Sequence, residues 1–235
     1  QAQFPKDTPN QYLVNIAPEQ VAPLQAFTQE HNIAHRGFYP VIRGRLTAIN
    51  GEKTIRVEDE NTNRQTDSSD NKEQEKKKGR RGMGRELGLT WRDDVPEQNE
   101  ILEGQWWQPD DSNPQVSVES GVAERLDIKL GDELSFDLGG REFTVPVTSL
   151  REVNWKTRQL NFIMIFNQPV LADFPTTSIS AWNVPLEKKD IFYQLIAKYP
   201  TISMIDFDVI MKQLNNMIDQ VTIAIELILI LVVLA

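Results

Sequence analysis

Val116-Ser-Val-Glu-Ser-Gly-Val-Ala-Glu-Arg-Leu126 and, after a short break, Gly131-Asp-Glu-Leu-Ser-Phe-Asp-Leu-Gly-Gly-Arg-Glu-Phe-Thr-Val-Pro-Val-Thr-Ser-Leu150 carry the reading on which the fold turns. Val116–Glu119 reads as a short strand. Ser120 is the predicted N-cap of a helix from Gly121 to Leu126, because its hydroxyl can accept a free helical N–H. Gly131-Asp132 closes the next turn. Glu133–Leu138 alternates strictly between apolar and polar residues, the period of a strand. Gly139-Gly140 supplies a tight hairpin turn. Glu142–Leu150 is the return strand, and Pro146, which has no N–H, predicts that it lies at a sheet edge. A strand, a helix and a hairpin in so short a stretch predict an α+β fold.

Upstream, Tyr12–Ile16 reads as a strand. A helix opens at Ala17-Pro18. Val21, Leu24 and Phe27 have helical spacing, and the helix ends near His31-Asn32. Phe38–Ile49 is a second strand, Asn50-Gly51 a hairpin turn and Thr54–Val57 its partner strand. This is a β-α-β unit with an added hairpin. Glu86–Trp91 is a further strand, and Trp106 and Trp107 are expected to lock a turn onto a core. Downstream, Asn161–Phe166 is a nearly continuous apolar strand, expected at a sheet centre. Ser178–Trp182 is a strand, and Leu186–Tyr199 a helix burying Ile191, Leu195 and Ile196. Ile202–Phe207 is the last strand.

From Asp208 a helix begins whose apolar side is Val209, Ile210, Leu214, Met217, Ile218 and Val221. It runs without Pro or Gly into Val221-Thr-Ile-Ala-Ile-Glu-Leu-Ile-Leu-Ile-Leu-Val-Val-Leu-Ala235. This run is apolar all round except for Glu226. Its length, roughly 22 Å, falls short of the ~30 Å of a hydrocarbon core. It is expected to be a transmembrane helix cut by the end of the chain. The alternative is a buried C-terminal core helix. The N-terminus, Gln1-Ala-Gln-Phe-Pro-Lys-Asp, lacks the basic and apolar regions of a signal peptide. The chain therefore reads as an extramembrane excursion of a larger membrane protein, its last helix a stiff rod of roughly 40 Å into the bilayer.

The expected architecture is two-lobed. Residues 1–114 begin a β-α-β lobe, 115–156 form an inserted, smaller, mostly β lobe, and 157–208 return to the first. Residues 209–235 are the stalk and the truncated membrane helix, with Leu214, Met217 and Glu226 on the coupling helix. Residues 58–84 lack a large apolar residue before Met83 and are expected to be a disordered loop. Its Lys76-Lys-Lys-Gly-Arg-Arg81 cluster reads as solvated rather than as a site for nucleic acid or lipid. A hydrophobic groove between the lobes is expected to be lined by Trp155, Phe162 and Trp182. That these are ordinary core aromatics is the alternative.

Composition removes whole classes of chemistry. The 235 residues carry 25 Lys and Arg against 34 Asp and Glu, a net charge of −9. This balance argues against nucleic acid as a partner. There is no Cys, so disulfides, thiolate metal sites and cysteine nucleophiles are excluded. The two His are too few for a multi-His metal site. His31 and His35 flank a helix end and read as surface residues. No nucleophile elbow, phosphate-binding loop, dinucleotide fingerprint or zinc-protease motif occurs. The carboxylates Asp93, Asp94 and Glu97 lie in a Pro-containing loop, and Glu119 and Glu124 flank a helix start. None makes a catalytic constellation, and no cofactor is expected.

Several runs together resemble one family. They are Arg85-Glu-Leu-Gly-Leu-Thr-Trp91, Glu103-Gly-Gln-Trp-Trp107, Gln115 through Asp132, Ser149-Leu-Arg-Glu-Val-Asn-Trp155, Asn161-Phe-Ile-Met-Ile-Phe166 and Tyr199-Pro-Thr-Ile-Ser-Met-Ile-Asp206. Leu130-Gly-Asp132 is common to many domains. Ser149-Leu-Arg-x-Val-x-Trp155 followed by Asn161-Phe162 is far more specific. The chain resembles a large periplasmic domain of the FtsX-like ABC transporter permeases, related to the MacB-type periplasmic core domain. It is most similar to the YbbP-like permeases and looks like the second of their two such domains.

The resemblance implies an inner-membrane subunit with this domain in the periplasm, in contact with membrane lipid and driven by a separate cytoplasmic ABC ATPase. It implies mechanotransmission of ATP-driven helix motion to work on a hydrophobic or lipid-like substrate, a periplasmic partner protein or an esterase. No enzymatic activity of the chain itself is implied. Two other readings stand beside it. One is an extracytoplasmic sensor or ligand-binding domain of a signalling protein. The other is a membrane-anchored hydrolase using Asp93 and Glu97.

Overall fold

The computed structural model of the protein describes residues 8–53, 86–155, 157, 159–171 and 174–213. In chain order these form β1 (Gln11–Ile16), α1 (Pro18–Glu30), β2 (Ala34–Ile49), β3 (Glu52–Lys53), β4 (Leu87–Trp91), β5 (Asn99–Gly104), β6 (Val116–Glu119) and α2 (Ser120–Leu126). There follow β7 (Glu133–Leu138), β8 (Arg141–Val153), β9 (Met164–Phe166), α3 (Gln168–Leu171), β10 (Thr177–Asn183), a 3₁₀ turn (Leu186–Lys188), α4 (Lys189–Ala197) and β11 (Ser203–Asp206). Residues 207–213 are helical. The mixed α+β class expected from the sequence is the class found. Among the described residues no helix is long and apolar enough to cross a membrane. The apolar run from Val221, the coupling residues Leu214, Met217 and Glu226, the strand Thr54–Val57 and the polar loop 58–84 lie outside the described residues.

The described chain divides into two units. One draws on Gln1–Gly37 and Ile179–Ala235, the other on Phe38–Ser178.

In the first unit β1 lies between β11 and β10. It pairs antiparallel with β11, from Gln11 opposite Asp206 to Val14 opposite Ser203. Helix α1 starts at Pro18, where a fixed φ suits the first turn and a missing N–H costs nothing. The Gln20 side chain accepts the Ala17 N–H at 2.9 Å. The chain leaves the helix through Asn32 in the left-handed region, φ 47°. Trp182 on β10 is fully buried. Its ring centre lies 5.6 Å from that of Phe192 on α4 and 6.5 Å from that of Phe27 on α1. Both helices thus meet β10 at one indole. On α4 the buried residues are Phe192 and Leu195, whereas Ile191 and Ile196 are half-buried.

The second unit closes a barrel. β2 pairs with β4, β4 with β9, β9 with β6, β6 with β8, β8 with β7, and β7 with β2 again. Closure depends on two long strands that change partner along their length. β2 leaves β4 at Gly44 and takes up β7 from Arg45. A Cβ at Gly44 would sit 2.8 Å from Leu89 Cδ1 and 3.1 Å from Leu138 Cγ, so any larger residue must displace these core side chains where the sheet folds over. β8 pairs with β7 as far as Pro146 and with β6 from Val147. Pro146 therefore marks the change of partner; there β8 pairs with β7 alone among the described strands, so the open flank that a proline needs is present although the strand as a whole is not at an edge. Its missing N–H falls where one ladder ends and the next begins. Leu46, Leu89, Val118, Phe136, Val147 and Phe166 are buried in one core cluster, joined by Val122 and Leu126 of α2. Each such side chain contributes about 1.5–3 kcal/mol by leaving water.

Two further expectations are corrected. Residues 115–156 do not stand apart as an inserted lobe. β6 pairs with β9, and β8 extends far enough to pair with β5 from Val153 to Ser149, all within the same unit. The cap of α2 is Glu119, not Ser120. The strand ends at Glu119 as read, but the helix starts one residue earlier, at Ser120, and the Glu119 carboxylate accepts the Val122 N–H at 2.8 Å. The apolar strand at 161–166 is central as expected, but only Met164–Phe166 pairs.

Candidate functional site

The first unit gathers its ionisable groups where β11 gives way to the helical residues 207–213. Asp206 ends β11. Its Oδ1 accepts the N–H groups of Asp208 at 2.9 Å and Val209 at 3.2 Å, capping the helix start. Its Oδ2 accepts the Tyr193 hydroxyl at 2.9 Å and lies 3.5 Å from Lys189 Nζ. Lys189 also reaches Asp208 Oδ2 at 3.2 Å. Asn10 donates to that same oxygen at 3.1 Å. Its amide also exchanges two bonds with the backbone of Val184, both 2.9 Å. The Phe207 N–H closes the set on the Asn10 carbonyl at 2.9 Å. Segments up to 198 residues apart in sequence are thus tied to one helix start.

The electrostatics fit the geometry. Burial alone would raise the pKa of Asp206. The neighbouring Gln11 amide, the Tyr193 hydroxyl, the Val209 N–H and the Lys189 charge outweigh it and hold the carboxyl below its usual 3.8. Burial would likewise lower Lys189, but its bond to Asp208 and the charges of Asp206 and Asp208 raise it above 10.5. Burial and the Asp206 carboxylate raise Tyr193. The depressed acid contributes stability above its unfolded pKa and loses it as pH falls through the folded value. The raised lysine contributes below its unfolded pKa and loses it as pH rises through the folded value. Asp206→Asn is therefore expected to flatten the acid limb of a stability profile below about pH 4 and to weaken the limb above pH 10, where Asp208 alone then faces Lys189. Parallel limbs in wild type and variant would show that the cluster contributes nothing.

The second unit holds a buried guanidinium. Arg151 on β8 is fully buried. It donates to Asn99 Oδ1 at 2.9 Å and to the Phe162 carbonyl. Asn99 in turn donates to Asn161 Oδ1 at 3.1 Å. Burial lowers the Arg151 pKa to about 10, with the charge of Glu119 opposing the shift and that of Arg92 adding to it. It remains a cation at neutral pH.

The three expected groove residues do not share an environment. Trp182 is a core residue of the first unit, its Nε1 donating to Ser180 Oγ at 2.8 Å. Phe162 is half-buried beside Arg151. Trp155 is 54% exposed and lines an open cleft of about 730 Å³ with Gln98, Asn99, Glu100, Glu152, Val153 and Asn154. That lining is polar and acidic, so it is not the apolar groove expected. Trp106 and Trp107 do lock a turn, stacking at 4.0 Å and donating to the carbonyls of Asp93 and Arg92. His31 packs on Phe27 at 4.3 Å, and His35 Nδ1 accepts the Gly37 N–H at 3.0 Å. Asp94 pairs with Arg92 at 3.1 Å. Among the described residues no cluster of acidic groups or His is arranged to hold a metal ion. The sequence reading starts this helix at Asp208, one residue late, and gives Asp206 no role. An Asp just before an apolar helical run was the available signal.

No family model matches the chain. Over 232 residues the chain is 39% identical to the Escherichia coli (strain K12) protein described as "Uncharacterized ABC transporter permease YbbP". The match covers 99% of this chain and 26% of that relative, so the chain spans about a quarter of the relative's length. The likeness to YbbP-like permeases read from Ser149–Trp155 and its companion runs is borne out.

Proposed function

As a homologue along nearly its whole length of one segment of an ABC transporter permease, this chain, we propose, is the extramembrane coupling domain of such a permease. It is the second of two periplasmic domains in an inner-membrane subunit. A separate cytoplasmic ABC ATPase hydrolyses ATP, and this subunit carries no catalysis of its own. Motion of the membrane helices passes through the stalk helix into the first unit and becomes work on a hydrophobic or lipid-like substrate or a partner protein.

The observation that carries this reading is the Asp206 junction. A helix start held by one carboxylate, one lysine and one amide to three other segments cannot turn or withdraw without moving them. A stalk joined only by a flexible linker would dissipate the motion. The exposed apolar residues beside the junction, Ile205, Val209 and Ile210, support a membrane-facing or lipid-facing position. The acidic Trp155 cleft is not where a lipid would bind.

The test breaks the stalk beyond the junction. Leu214→Pro, in the complete permease assembled with its ATPase, removes one helical hydrogen bond and inserts a kink. Nucleotide is expected to leave the periplasmic domain unmoved while ATP hydrolysis persists. A domain that still responds to nucleotide in this variant would refute the coupling role.

A further inference from the structure

The Trp155 cleft belongs to the second unit and plays no part in the junction. Its parts are of two kinds. Some are fixed. Asn99 is held by Arg151 at 2.9 Å and by Asn161 at 3.1 Å. The Trp155 indole leans on Glu119 Oε1 at 3.5 Å and leaves just over half its surface open. Others stand ready. Gln98 sits in the left-handed region, φ 62°, a conformation costly for a side chain that is not glycine and one that recurs at ligand sites. Glu100 on β5 lies directly opposite Glu152 on β8. Like charges in that register repel, and neither carboxylate has a cationic partner among the described residues.

We propose that this cleft binds a saccharide chain built of neutral or amino sugars. A sugar ring has one face of C–H groups and a rim of hydroxyls. The open indole offers the flat apolar surface for that face. Ionised carboxylates accept hydrogen bonds and donate none, and the Gln98 amide does both. The cleft therefore favours a ligand rich in donors, which hydroxyl and amino groups supply. Two facing carboxylates select against acidic sugars and phosphate-bearing ligands. The balance of amides and carboxylates around one aromatic ring also disfavours an acyl chain.

The experiment uses the full chain in a zwitterionic detergent without a sugar headgroup. Isothermal titration compares cellohexaose, a glucosamine hexamer and a galacturonate hexamer. The first two are expected to bind and the third not. Trp155→Ala is expected to weaken both by about tenfold or more. The double variant Glu100→Gln/Glu152→Gln, confined to exposed side chains, is expected to admit the galacturonate hexamer. Absence of heat with both cellohexaose and the glucosamine hexamer overturns the proposal. So does unaltered binding in Trp155→Ala with native near-UV dichroism. Should Trp155→Ala fail to fold, unchanged selectivity in the double variant overturns it instead. Binding of the glucosamine hexamer alone, abolished at about 150 mM salt, would make this a simple cation site and equally overturn it.

Discussion

Trp182→Ala is expected to destabilise the first unit by about 3–5 kcal/mol, a large share of the ~5–15 kcal/mol that holds a typical domain together. The indole is fully buried and is the contact at which α1 and α4 both meet β10. Removing it leaves a cavity against Phe27 and Phe192 and takes the indole donor from the Ser180 hydroxyl, which keeps only its bond to the Gly37 carbonyl. The surrounding helices cannot close the gap without losing their register on the sheet. Trp182→Phe keeps a ring and is expected to cost less than half as much. The effect is best read by hydrogen exchange. Amides of β1, β10 and α1 are expected to exchange far faster in Trp182→Ala, with those of β6 to β9 unchanged. A loss below about 1 kcal/mol would show that the indole is not the keystone of that unit.

Arg151→Met is expected to cost about 3 kcal/mol, and here two effects compete. Methionine spares the folded state a buried charge, which can be neutral or stabilising when the whole network goes with it. In this case the network stays. Asn99 Oδ1 and the Phe162 carbonyl, both half-buried, each lose a charged donor, and each acceptor left without one costs about 1–3 kcal/mol. The Glu119 carboxylate, opposite Arg151 across the β6–β8 pair, also loses its compensating cation. The acceptors outweigh the relief. The midpoint of urea unfolding is expected to fall with an unchanged slope. Restoring most of the stability by adding Asn99→Leu would confirm that the cost lies in the stranded acceptors. An unshifted midpoint in Arg151→Met itself would contradict this accounting.

How legible these features are in the sequence depends on how local their causes are. Asn50-Gly51 and Gly139-Gly140 fold as read, because left-handed φ values of 49° and 78°, 60° and 91° are decided by the residues themselves. The strands between those turns follow from alternation. Barrel closure does not, because it rests on β2 and β8 changing partners in mid-strand. The residues that permit the change, Gly44 and Pro146, look in sequence like a flexible point and an edge marker. The partition into units fails for the same reason. Pairing of β8 with β5 joins segments separated by some 50 residues, and no window of sequence contains both.

The site was harder still. A tryptophan's identity says nothing of its burial. β10 is buried at three successive positions, so period-two reasoning cannot tell Trp182 from the exposed Trp155. Arg151 reads as a surface charge until its Asn99 partner, distant in sequence, is seen. Asp206 is intelligible only beside Asn10, Lys189 and Tyr193, which the fold brings together from both ends of the chain.

On the proposed function, the helix leaving Asp206 drives the domain. A Gln194→Cys on the exposed side of α4, in a permease cleared of any cysteine outside this chain, accepts one donor fluorophore. The most direct measurement is energy transfer from that donor to acceptor-labelled lipids, in the complete permease reconstituted with its ATPase, with and without ATP. The expected result is a transfer efficiency that changes with ATP when Leu214 is intact and stays constant in Leu214→Pro, while both preparations hydrolyse ATP. The same ATP-dependent change in both, or none in the intact protein, would contradict it.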